Sequence, residues 1–78
     1  MTPDLTIDTQ GLTCPMPILK TKKALAGLPG GAILVVLASD PGAAEDLNSF
    51  CRMTGHTMLE QSADGATLRF VIQRAAGV

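Results

Sequence analysis

The sequence predicts an α+β fold: a two-layer α/β sandwich in the order βαβαββ, with a four-stranded mixed sheet and two helices on one face. Three observations lead there. Ala32 to Ala38 is a continuous apolar run, too short for a typical helix and rich in β-branched residues, which is how a central strand reads. Two segments, one beginning at Pro15 and one at Pro41, place their apolar residues at the helical period. Near the end, Asp64-Gly65 separates two strand-like segments, a strong hairpin signal.

Taken in order, Leu5-Thr6-Ile7 is a short alternating strand and Thr9-Gln10-Gly11 a turn. From Pro15 onward Ile18, Thr21, Leu25 and Leu28 form one stripe, with Lys20 and Lys23 on the wet side. Lys22 lies at the edge, where its stem can cover apolar surface. This helix ends near Gly27, before Leu28-Pro29-Gly30-Gly31. The strand at Ala32 to Ala38 follows, parallel to the first. Asp40 is then the expected N-cap of a second helix, with Pro41 at its first position and Glu45 and Asp46 complementing the dipole. Ala43, Leu47, Phe50, Cys51 and Thr54 make its buried stripe; Glu45, Ser49 and Arg52 face water, and Gly55 stops it. Thr57 to Ser62 and Thr67 to Gln73 complete the sheet. With Asp64 and Gly65 at the tip, Glu60 pairs with Arg69 and Leu59 with Phe70, which puts opposite charges on one face and apolar side chains on the other.

A chain of 78 residues fits a single domain, residues 1–78, with a thin core. Apolar residues make up 46% and include only two aromatics, so a large enclosed pocket is not expected and a surface site is. The net charge of −1 gives no pull toward nucleic acid. The longest apolar run is far too short to span a bilayer, and Met1-Thr-Pro-Asp lacks the features of a signal peptide, so the expected location is cytoplasmic with no membrane association. Cys14 and Cys51, with His56 as the one other soft ligand, suffice neither for a disulfide framework nor for a four-ligand zinc site. No metal and no cofactor are expected.

Gly11-Leu12-Thr13-Cys14-Pro15-Met16-Pro17 is the most unusual segment. Inside a helix each proline would cost about 3 kcal/mol, but in the first turn it removes an amide proton that has no helical partner. Pro15 pushes Cys14 toward an extended backbone, the N-cap conformation. A thiolate at that point meets the positive end of the helix dipole, with the Met16 amide as its main donor, and moderate acidification follows. Cysteine is a poor cap, so capping alone does not account for it. The residues point to an exposed, reactive thiol able to attack sulfur–sulfur bonds.

Other candidates have plainer readings. Cys51 falls on a buried stripe and reads as a small core residue. His56, between helix and strand, reads as a surface residue. Met16 points away from the core and is available to a partner, and Lys20 and Lys23 could meet an acidic one.

The same segment resembles the signature of the TusA/SirA-type sulfur carrier family. Asp8, Gly11, Leu12, Cys14, Pro15 and Pro17 carry the resemblance, followed by Lys23, Ala24 and Leu25; it continues through Asp40-Pro41, Phe50-Cys51, His56 and the closing hairpin. The resemblance implies a persulfide on Cys14, supported by Gly11, Leu12, Pro15, Met16 and Pro17. It implies a cysteine desulfurase or another sulfurtransferase as donor and a further relay protein as acceptor. The route would end in tRNA 2-thiolation, molybdenum cofactor or sulfur oxidation, with the chain a persulfide carrier more than a full enzyme. Two alternatives compete: a regulatory or interaction module in which Cys14 is dispensable, and a thiol–disulfide protein, weakened by the lack of a second cysteine near Cys14.

Overall fold

A computed structural model describes residues 2–76, with β1 Leu5–Asp8, α1 Met16–Ala26, β2 Ile33–Ala38, α2 Ala43–Thr54, β3 Thr57–Asp64 and β4 Thr67–Gln73. The sheet order is β1-β2-β4-β3. β1 runs parallel to β2, whereas β4 lies between β2 and β3 and is antiparallel to both. β2 therefore has a partner on each side, which is why its sequence is unbroken apolar. The α+β arrangement expected from the sequence is the one observed.

The core lies between sheet and helices. Leu34, Val36 and Ala38 alternate along β2 toward Leu25 of α1 and Ala43, Leu47 and Cys51 of α2, joined by Phe70 and Ile72 of β4. Burying each large aliphatic side chain contributes about 1.5–3 kcal/mol. In α1 the buried residues are Pro17, Thr21 and Leu25, while Ile18, and Leu28 just past the end of the helix, are half-buried against the core. Thr54, expected on the buried stripe of α2, is exposed: it belongs to the last turn, where its hydroxyl donates to the Phe50 carbonyl. Gly55 ends α2 in the left-handed conformation at φ 88°, and its N–H donates to the Cys51 carbonyl.

Two local expectations are corrected. The hairpin tip is Gly65-Ala66, not Asp64-Gly65: Asp64 pairs with Thr67, Ser62 with Arg69, and Glu60 with Val71. A type I′ turn at Asp64-Gly65 would require a positive φ at Asp64, whereas Gly65 at φ +61° followed by Ala66 suits a turn that needs it only at its first central residue. That shift of the tip sets Gln61, not Leu59, opposite Phe70; farther along, an irregularity between Met58 and Glu60 takes up one residue of β3. The second correction concerns Asp40. α2 begins at Ala43 with Gly42 in the capping position, because Asp40 Oδ1 accepts the Gly42 N–H at 3.1 Å and the Asp40 carbonyl accepts the Ala43 N–H at 3.0 Å. Asp40 thus closes a turn ahead of the helix. Among the described residues, no helix is long and apolar enough to cross a membrane.

Candidate functional site

The loop from Thr9 to Pro15 leaves the end of β1 and is pinned to the end of β2. Thr9 is buried and donates both its N–H and its hydroxyl to the Leu37 carbonyl, each at 2.7 Å. The Gly11 N–H donates to Ser39 Oγ at 2.8 Å, and the positive φ of 83° at this turn explains a glycine there. Leu12, half-buried, donates its N–H to the Thr9 carbonyl at 3.1 Å. The Cys14 N–H then donates to Asp40 Oδ2 at 2.8 Å. One carboxylate therefore joins the approach to α1 with the approach to α2.

Cys14 is a free, exposed thiol. It precedes the α1 cap and does not form it: Pro15 takes the capping position and Pro17 lies in the first turn, its side chain buried. The peptide bond between Cys14 and Pro15 is cis. The Met16 N–H, expected to face the sulfur, donates to the Thr13 carbonyl at 2.8 Å. With Pro15 and Pro17 lacking N–H groups, that bond commits the first-turn amide on which the expected acidification relied.

The sulfur meets carboxylates instead. It lies in an open groove of about 340 Å³ between the two helices, lined by Cys14, Pro15, Ile18, Asp46, Ser49, Phe50 and Met53. The Asp46 carboxylate, first through its capacity to accept the thiol proton and then through its charge, favours the protonated thiol; desolvation and the charge of Asp40 act in the same direction. The Cys14 pKa is therefore raised, contrary to the expected acidification. Solvent access, the other half of that expectation, holds.

The remaining candidates separate. Met16 is 39% exposed, Leu19 51% and Met53 85%, leaving large apolar side chains open on both helices. Lys20 and Lys23 do not line the Cys14 groove; they flank another, of about 410 Å³, between α1 and β1, over Leu5, Ile7, Ala24 and Leu28. Cys51 is buried and its thiol pKa is pushed up by burial. His56, expected at the surface, is half-buried: its Nδ1 accepts the Ala75 N–H at 2.9 Å and its ring lies 5.7 Å from that of Phe50.

The family model for "Sulfurtransferase TusA" matches residues 5–74. The chain belongs to the TusA family. Within it, a candidate sulfur carrier protein of Neisseria meningitidis is 48% identical over 68 residues, 87% of this chain and 92% of the relative. The sulfur carrier protein TusA of Allochromatium vinosum is 38% identical over 72 residues, 92% of this chain and 95% of the relative. Among solved structures, a SirA-like protein from Desulfitobacterium hafniense superposes with a TM-score of 0.81 at 29% identity, covering 91% of this chain and 97% of that one. The resemblance carried by Cys14-Pro15-Met16-Pro17 is thus one of family and of fold. From α2, Asp46, Ser49, Phe50 and Met53 join this TusA-family site without any local signal in the sequence; only the packing of α2 beside the Cys14 loop brings them there.

Proposed function

We propose that this TusA-family chain, acting as one carrier domain over residues 1–78, accepts sulfur as a persulfide on Cys14 and passes it to a partner protein. The observation that carries the reading is an exposed thiol in an open groove, on a loop pinned at Thr9, Gly11 and Cys14. An open site suits cargo that must be handed from one protein to another. Relatives named as sulfur carriers add weight. The donor is a cysteine desulfurase or another sulfurtransferase, and the acceptor a relay protein leading to tRNA 2-thiolation, molybdenum cofactor or sulfur oxidation, in a reducing cytoplasm that keeps Cys14 a thiol. Gly11, Leu12, Pro15 and Pro17 hold the loop. Exposed Met16 gives partners an apolar contact beside the sulfur, and Lys20 and Lys23 offer an acidic partner a second contact.

Incubation with a cysteine desulfurase and free cysteine is expected to add the mass of one sulfur atom. Reductant removes it, and Cys14→Ser does not acquire it. Failure to load from several persulfide donors overturns the reading in favour of an interaction module.

A further inference from the structure

We propose that Asp46 is the proton shuttle of Cys14, taking the thiol proton as the sulfur attacks and returning it to the sulfur that leaves. The inference rests on the reading of Cys14 as a sulfur acceptor and deepens it. Cys14 and Asp46 line one groove, Cys14 from the approach to α1 and Asp46 from α2, and the Asp46 carboxylate favours the protonated thiol. Asp40, the other carboxylate nearby, has each oxygen occupied by a backbone N–H, from Gly42 on Oδ1 and from Cys14 on Oδ2. Its task is to hold the loop. Asp46 is the carboxylate that lines the groove with the sulfur. The other groups lining the groove do not compete for the proton: Pro15, Ile18, Phe50 and Met53 are apolar, and the Ser49 hydroxyl accepts a hydrogen bond from Arg52 at 3.0 Å.

With a persulfide donor the step balances without an oxidant. Cys14 Sγ bonds to the outer sulfur of the donor, which keeps its own hydrogen. The donor's sulfur–sulfur bond breaks and its electron pair stays on the inner sulfur. The proton released by Cys14 passes to Asp46 and from there to that leaving thiolate. Delivery to an acceptor runs in reverse, with Cys14 as the leaving sulfur and Asp46 as the source of its proton.

A shuttle and a merely repulsive charge predict opposite results for Asp46→Asn. Iodide leaves iodoacetamide without needing a proton, so alkylation follows the thiolate fraction; glutathione leaving its persulfide does need one. In Asp46→Asn the pH midpoint of Cys14 alkylation by iodoacetamide is expected to move lower. Sulfur loading from glutathione persulfide at neutral pH is expected to slow about tenfold, and Asp46→Glu to recover part of that loss. Circular dichroism matched to the wild type shows that the variants are folded. Loading by Asp46→Asn as fast as or faster than the wild type overturns the shuttle and leaves the carrier reading intact, and so does loading by Asp46→Glu as slow as by Asp46→Asn. An unshifted alkylation midpoint overturns it too. A wild type that loads from neither glutathione persulfide nor a desulfurase removes the carrier reading and the shuttle together.

Discussion

Cys14 has a helix start on one side and two carboxylates on the other, and the local bonding decides between them. The Met16 amide is spent on the Thr13 carbonyl, whereas Asp46 and Asp40 both favour the protonated thiol. A less acidic thiol forms less thiolate, but that thiolate is the stronger nucleophile and the poorer leaving group. Both properties suit a carrier, which must hold its sulfur between donor and acceptor. Asp40 has a separable role, since its carboxylate accepts the N–H groups of Cys14 and Gly42. Asp40→Ala leaves both without their acceptor and is expected to cost about 1–2 kcal/mol, read as a lower urea midpoint. Asp40→Asn, which keeps an acceptor oxygen, should recover much of that. Equal midpoints for the wild type and Asp40→Ala would show that the carboxylate does not pin the loop.

At the scale of elements, α1 contains one polar atom with nothing to bind. Thr21 is fully buried, and among the described residues its hydroxyl has no hydrogen-bond partner. Valine has nearly the same shape and the same branching at Cβ, so Thr21→Val removes the unsatisfied group without opening a cavity. A gain of about 1 kcal/mol is expected, which for a domain of this size raises Tm by roughly 4–8 °C. A lower Tm would mean that the hydroxyl has a partner after all, such as a bound water. The same helix shows what a sequence discloses. Its stripe of Ile18, Thr21, Leu25 and Leu28 follows from periodicity, and so does the apolar strand it packs on. The hairpin tip was legible only to within one residue, because Asp-Gly and Gly-Ala are both turn pairs and the backbone at Gly65 chooses between them. The position of Cys14 could be read locally from its prolines. The company it keeps could not: Asp46 has an adequate local reason in the dipole of α2, and its approach to the sulfur depends on how two helices far apart in sequence pack together.

For the molecule as a whole, the last described residues close the end of the sandwich remote in sequence from Cys14. The Gly31 N–H donates to the Arg74 carbonyl and the Arg74 N–H to the Ala32 carbonyl, each at 2.9 Å, while Arg74 Nε reaches the Leu25 carbonyl at 2.7 Å near the end of α1. Beside it, His56 Nδ1 accepts the Ala75 N–H, which requires that nitrogen to be unprotonated. Burial and the neighbouring Arg74 charge lower the His56 pKa, and Lys22 lines a shallow groove together with His56 and Arg74. The folded chain therefore prefers neutral imidazole. Above the unfolded value of about 6.5 both states are neutral and the contribution is fully present. As the pH falls toward the lower folded value, the unfolded chain takes up the proton first, and stability is lost. The urea midpoint should accordingly decline between about pH 6.5 and 5, before most carboxylates titrate. His56→Gln, which cannot acquire this charge, should flatten the decline. A wild type and His56→Gln with the same slope in that window would show that protonation of His56 does not loosen the chain's end.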